Sequence, residues 1–300
     1  MEKGGHPMLQ AIVLYNGGLQ TPKFMDNVAL LQEAARRKKV HMTAVPNDAL
    51  AAAPGCSRSV VGLDHHPDFL CSFDKDIELL EAVEQLGIPV FNSAAAIALC
   101  DNKRRMHQAF ARHGIPQPKT ILAPMAYAGV GRTDDAYLQE VERILGFPMI
   151  VKEAYGSFGK QVYWIASSEE LRLKAADLQE VPHLYQEAVS DSLGTDLRLN
   201  VVGGQVSASM KRTSSTDFRA NITAGGKAVP YEPTPEEKNT AIAAAAAVGA
   251  DFAGVDLFAG RVPLVCEVNA NPHIKSTYET TGIRVEDAMI DYMIRRTIRQ

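Results

Sequence analysis

Short apolar runs alternate with amphipathic stretches through the opening third of this chain, and that alternation limits the fold more than any other feature. LQAIVLY at 9–15 is an apolar run ended by Asn16, Gly17 and Gly18, and residues 26–39 repeat Val28, Leu31 and Ala35 at helical spacing. VHMTAVP, the DFLCSF run, a helix over 76–86 and the strand IPVFN continue the pattern to Asn92. Such repetition predicts a parallel sheet with helices on its faces. Gly17 and Gly18 lack the GxGxxG spacing, so this sheet carries no dinucleotide fingerprint.

The texture then changes twice. Residues 93–100 and 101–113 read as two helices, the second with Asp101 as N-cap, Gly114 as its stop and Pro116 just beyond. A helix over 134–145 ends at Gly146, FPMIVKE and QVYWIA read as strands around the turn AYGSFGK, and Ser167 with Glu170 makes a capping box for a helix over 168–178. After that come HLYQEAV, TDLRLNVVGG and QVSASMKR, antiparallel strands with Gly203 and Gly204 as a turn. In TPEEKNTAIAAAAAVG, Thr234 is the N-cap, Pro235 sits at N1, Glu237 completes a capping box and Gly249 stops the helix. FAGVDLF and PLVCEVN flank AGRV as a hairpin, and 285–295 forms a terminal amphipathic helix. The expected lobes are 1–95, 96–184 and 185–300.

Charge narrows the partners. Of 300 residues, 31 are Lys or Arg and 35 Asp or Glu, a net charge of −4 that offers no broad face for nucleic acid. The basic run Arg36, Arg37, Lys38 and Lys39 sits at a helix end, where cations suit the dipole. The apolar run 8–15 is too short for a membrane span, so a cytoplasmic protein is expected. Cys56, Cys71, Cys100 and Cys266 form no CxxC pair and are expected as free thiols, and His65 and His66 are expected to be structural or solvated.

The chemistry gathers in the last two thirds. If VDLF and LVCEVN pair around the 259–264 turn, Asp256 faces Glu267 across the ladder and Asn269 lies beside Glu267 on the same face. Oxygen-only ligands of this kind suit Mg²⁺, while the alternative is that both carboxylates face solvent on an open sheet. In the 148–165 hairpin, Gly156, Ser157 and Gly159 let backbone N–H groups approach an anion and Lys152 supplies a point charge; an ordinary hairpin turn is the competing reading. The Walker A spacing is absent. Glu187 ends a strand, Asp196 and Arg198 share a face, and Lys211, Arg212, Arg219 and Asn221 cluster near a polar loop suited to carboxylate or phosphate.

In this order, Lys152, the glycine-rich turn, QEAV, Asp196-x-Arg198 with VV, FRAN, AGVD and EVNANP resemble the ATP-grasp superfamily, and within it the RimK-type amino-acid (alpha-L-glutamate) ligases. The similarity covers about 100–297, including TTGI at 280–283, and extends to DKDIELL and FNSAAAIALCDNK. It implies a three-lobed ATP-grasp fold of mixed α/β and α+β character: an N-terminal parallel α/β lobe, a central lid and a C-terminal antiparallel sheet lobe. It implies ATP and Mg²⁺ as cofactors, with Mn²⁺ as a substitute. Nucleotide contacts fall on Lys103, Lys152, the turn with Gly156, Ser157, Gly159 and Lys160, the hinge Glu187, Ala188 and Val189, and Asp196. Arg198, Arg219 and Asn221 take the catalytic positions around the phosphate and acyl phosphate, and Asp256, Glu267 and Asn269 those of the metal ligands.

The implied reaction joins a small-molecule or peptide carboxylate to an amino acid such as L-glutamate through an acyl phosphate, releasing ADP and phosphate. An ATP-grasp kinase that phosphorylates a hydroxyl is the alternative, and a non-catalytic nucleotide module would be expected to have lost one of the matched positions, all of which are present. No nucleic-acid or membrane partner is implied, and a dimer or tetramer is expected. His273 and Lys275 stand near the acceptor side, where NANPHIKS replaces the family's NxxPG end.

Overall fold

The computed structural model describes residues 8–130, 135–156, 159–215, 217–220 and 226–299. In the first lobe, β1 (Gln10–Tyr15), α1 (Pro22–Arg37), β2 (His41–Pro46), the short ribbon of β3 (Ala51–Ala52) and β4 (Val60–Val61), β5 (Phe69–Ser72), α2 (Ile77–Gln85) and β6 (Val90–Phe91) follow one another. The main sheet runs β2-β1-β5-β6 and is parallel, as the alternation requires. Because side chains alternate along a strand, β1 sends Ala11 and Val13 to a core shared with α1 and Ile12 and Leu14 to one shared with α2. The two helices therefore cover opposite faces.

Two helices follow, α3 (Ala94–Asp101), capped by the Ser93 side chain, and α4 (Lys103–Arg112), capped by Asn102 rather than by Asp101. Asn102 Oδ1 accepts from the Arg104 and Arg105 amides at 3.1 and 3.2 Å, which leaves Asp101 as the last residue of α3. Met106 and Phe110, four apart on α4, bury themselves in the core of the C-terminal sheet, so this helix packs on the last lobe although the sequence groups it with the middle one.

The lid comprises β7 (Thr120–Leu122), α5 (Ala136–Leu145), β8 (Met149–Glu153), β9 (Val162–Ile165), α6 (Ser168–Asp177) and β10 (His183–Glu187). Its sheet order is β7-β10-β8-β9. The strand HLYQE thus completes the lid instead of joining the strands that follow it, and a boundary at 184/185 would cut through β10. Its buried Tyr185 supplies the reason: the ring packs in the lid core with Val141, Met149 and Leu171. The Ser167 hydroxyl caps α6, but Glu170 reaches back to the Ala166 amide, so the reciprocal half of the box is shifted by one residue.

The last lobe has β11 (Thr195–Val202), β12 (Gln205–Thr213), β13 (Lys227–Pro230), α7 (Pro235–Ala247), β14 (Phe252–Phe258), β15 (Leu264–Asn269), α8 (Lys275–Thr281) and α9 (Val285–Ile298). Its antiparallel sheet runs β13-β12-β11-β14-β15. Gly203 and Gly204, at φ 56° and 77°, make the tight β11–β12 turn that needs two left-handed residues. The Thr234–Glu237 capping box is complete, a contribution of about 1 kcal/mol, and the small Ala241, Ala244 and Ala245 bring α7 close onto the sheet.

The lobes are joined by specific contacts. Asn92, fully buried, donates to the Phe252 and Ala270 carbonyls at 2.8 Å each and accepts from the Asp251 and Phe252 amides at 2.7 and 3.1 Å. Helix α9 returns to the first lobe, where Asp287 and Asp291 pair with Arg37 and Lys38 at 2.6 and 2.8 Å. The basic run at the end of α1 is a docking contact as well as a helix terminus.

Candidate active site

Between the lid sheet, the C-terminal sheet and the carboxyl ends of β1 and β5 lies a cleft of about 1030 Å³. Strand alternation on β8 turns Ile150 and Lys152 towards it, and the ladder places Gln186 of β10 opposite Ile150 on the same face. Lys152 is buried with its Nζ 3.9 Å from Cys266 Sγ. Lys103, at the start of α4, is also buried and donates to the Gly156 carbonyl at 3.0 Å. Burial pushes its pKa down, and Glu267 opposes that shift. Two buried lysines and a carboxylate thus share one pocket wall.

Gly156 and Gly159, at φ 138° and 72°, hold backbone conformations that a side chain would strain. Ser157 and Asn221 lie outside the described residues. Lys160 is exposed and does not line the cleft. Arg219 donates to the Gly159 carbonyl and pairs with Asp217 at 2.6 Å, so it ties the 217–220 loop of the last lobe to the glycine turn of the lid. At the other end, Glu187 closes β10 by accepting from the Lys119 amide at 3.0 Å, and Ala188 and Val189 follow it along the cleft wall.

The C-terminal sheet sets the charged floor. Asp256 stands opposite Glu267 and Gly254 opposite Asn269, the register expected from the sequence. The register then slips to Leu257 opposite Val265, leaving Cys266 as the extra residue of a bulge. This explains why Cys266 and Glu267, consecutive on one strand, both line the cleft. Glu267 Oε1 accepts from Asn269 Nδ2 at 3.1 Å.

Asp256 is held differently from the expectation. Opposed carboxylates in a sheet call for a cation, and here guanidinium groups provide it. Arg198, its ladder partner on β11, binds both carboxylate oxygens, one at 2.7 Å, and Arg212 adds a contact at 2.9 Å. Arg212 in turn grips Asp196 in a fork at 2.6 and 2.7 Å, so four alternating charges run across three strands. Burial alone would raise Asp256, but the two arginines outweigh it and hold the carboxyl below the ordinary range, whereas burial pushes Asp196 up. Gly254 makes room for this, since a Cβ there would come within 2.8 Å of Arg198 Nη1.

The donors fit a hard cation in part. Glu267 and Asn269 sit side by side, while Asp256 can join them only by exchanging guanidinium contacts for metal. Among the described residues no three His, Cys, Asp or Glu side chains gather into a metal cluster.

Sequence reasoning missed a second buried network. His107 of α4 hydrogen-bonds Gln117 Oε1 through Nδ1 at 2.6 Å, and its Nε2 lies 3.3 Å from Gln186 Nε2, which also donates to Thr120 Oγ1 at 2.9 Å. Both amide protons are so committed, Gln186 Oε1 has no partner, and the residue lines the cleft beside Ile150 and Lys152. Burial, followed by Lys152, pushes His107 down to about 3, so the ring is neutral. Unfolded, the same ring protonates near its ordinary value of 6.5. Between those values the unfolded chain holds the extra proton, and stability is expected to fall by about 1 kcal/mol per pH unit on acidification below 6.5. Urea denaturation at several pH values checks this, with His107→Gln flattening the slope.

The sequence profile of the RimK-like ATP-grasp domain matches residues 100–293. The chain is 36% identical over 218 residues to a probable alpha-L-glutamate ligase of Maridesulfovibrio salexigens, spanning 70% of this chain and 68% of that one. It is 34% identical over 221 residues to the ribosomal protein bS6–L-glutamate ligase of Escherichia coli, spanning 72% and 71%. Among solved structures, the ATP-grasp ligase PsnB with its minimal precursor superposes with a TM-score of 0.72 at 16% identity, covering 96% and 99% of the chains. The D-alanine–D-alanine ligase of Bacillus anthracis with ATP gives 0.68 at 16% identity, covering 97% and 98%. At such identity these two establish the shared three-lobed fold.

Proposed function

The chain belongs to the RimK-like ATP-grasp family, and from that premise we propose how its cleft works as an ATP-dependent, ADP-forming carboxylate–amine ligase, with L-glutamate as the amino acid. The observation that carries the residue assignments is the convergence of Lys103, Lys152, Glu267 and Asn269 on one cleft between two sheets. In the reaction, a substrate carboxylate oxygen attacks the γ-phosphorus, the bond to the β,γ-bridging oxygen breaks and ADP leaves. The amine nitrogen then attacks the acyl carbon and phosphate departs with one carboxylate oxygen, leaving the amide.

Phosphoryl transfer depends on positioning and charge neutralisation. Lys103 and Lys152, both buried, act on the phosphates in a low-dielectric wall where a positive charge counts for more than in water. Val189 and Phe258 give the base end apolar surface, and the Glu187 hinge sits beside them. Glu267 and Asn269, joined by Asp256, are the residues to hold Mg²⁺ or Mn²⁺; a PsnB structure is complexed with Mg and ADP. When bound, the metal neutralises charge on the β- and γ-phosphates. Arg198, which lines the cleft floor beside Asp256, would meet the acyl phosphate there. Arg219 keeps the glycine turn over the cleft, which shields a hydrolysable intermediate from water.

No helix among the described residues is long and apolar enough to cross a membrane. The reading is tested by measuring ADP release against a matrix of carboxylates and L-amino acids, with mass spectrometry of the products. ADP formation that requires both partners is the expected outcome, and a stable phosphorylated product would instead indicate a kinase.

A further inference from the structure

The far end of the cleft belongs to the first lobe. In the order β2-β1-β5-β6 the connections from β1 and β5 go to helices on opposite faces, which opens a crevice at the carboxyl ends of these strands. Tyr15 ends β1 and Asn16 follows it, Phe73 and Asp74 follow β5, and all of them line the cleft together with Asn271 of the last lobe.

Two acceptors in this crevice are unfilled. Asp74 is 8% exposed, and its Oδ1 accepts from Asn16 Nδ2 at 3.2 Å while Oδ2 has no hydrogen-bond partner. Asn271 donates through Nδ2 to the Asp74 carbonyl at 3.2 Å, and its Oδ1 has no partner either. The bond between the two residues holds these oxygens in one neighbourhood. No ion pair to Asp74 exists among the described residues, because the adjacent Lys75 is spent on Asp101. A carboxyl oxygen buried without a donor is costly, and such groups are rare unless a ligand or water completes them.

We propose that Asp74 Oδ2 and Asn271 Oδ1 seat the ammonium group of the amino-acid substrate. The assignment rests on the ligase reading above and specifies where its amine partner binds. Both unfilled atoms are acceptors, so the missing group is a donor, and the carboxylate makes a cationic donor the best match. An ammonium has several N–H donors, enough for both oxygens at once. Asn271 also lies two residues beyond Asn269, just past the end of β15, and lines the same cleft as Glu267 and Asn269. The seat therefore adjoins the metal end of the cleft, where the amine must meet the acyl phosphate after giving up a proton.

The experiment compares L-glutamate with glutarate, the same chain without the amine, by calorimetric titration of the MgADP-bound protein. The other L-amino acids are then run against their deaminated counterparts. Wild type is expected to prefer an amino acid over its deaminated counterpart by about 10- to 100-fold. Asp74→Asn is expected to erase most of that preference, and Asn271→Ala part of it, with MgADP affinity and melting temperature unchanged. If Asp74→Asn keeps the preference, or wild type has none for any amino acid, the seat is overturned. Should Asp74→Asn fail to fold, Asn271→Ala decides by the same ratio. Failure of ligation shows separately, as no ADP release with any carboxylate and amine.

Discussion

Glu267→Gln is expected to lower metal-dependent ADP formation by about 10³-fold or more while leaving the melting temperature near wild type. The magnitude follows from the several kcal/mol of charge stabilisation that a bound metal supplies, with about 1.4 kcal/mol for each factor of ten. Glu267 lines the cleft on a bulged edge of β15, so its removal leaves no packed core to collapse. It is also the carboxylate that offsets the burial of Lys103, so its loss costs both metal and lysine. Steady-state assays at saturating ATP and varied Mg²⁺ measure it, and turnover within tenfold of wild type would refute the metal assignment.

Arg212→Met is expected to destabilise the fold by roughly 3–5 kcal/mol, the usual cost of removing one partner from a buried ion pair. Arg212 is 6% exposed and bonded to both Asp196 and Asp256, and without it Asp196 loses its fork and Asp256 keeps only Arg198. Adding Asp196→Asn should recover part of the loss, because one of the stranded charges goes with it. Urea unfolding of the single and double variants reads the effect; a loss below about 1 kcal/mol would mean that the charge row is solvated rather than structural.

What the sequence made legible depends on how local the governing physics is. The register of Asp256 against Glu267 follows from period-two alternation on two strands joined by a short turn, and the Thr234 box is a contact three residues long. The bulge at Cys266 leaves no such signature, because it adds one residue to an apolar run without changing its composition. The seating of β10 in the lid sheet is decided by Tyr185 and its distant core neighbours, and the docking of α4 by Met106 and Phe110 against strands far along the chain. In the candidate site, spacing identified the acidic residues but could not show that Arg198 and Arg212 hold one of them. The unfilled oxygens of Gln186, Asp74 and Asn271 arise only when separate segments meet, since each is defined by donors that fail to reach it.

The net charge of −4 is compatible with this site because its cations are local. Lys103, Lys152, Arg198, Arg212 and Arg219 all line the same cleft, within an otherwise mildly acidic chain.

The central claim, amide formation through an acyl phosphate, is tested most directly by ligation with an ¹⁸O-labelled carboxylate substrate. The account predicts that the released phosphate carries one labelled oxygen, in step with ADP and with an amide product that has lost one. Unlabelled phosphate, or label retained wholly in a phosphorylated product, would contradict it.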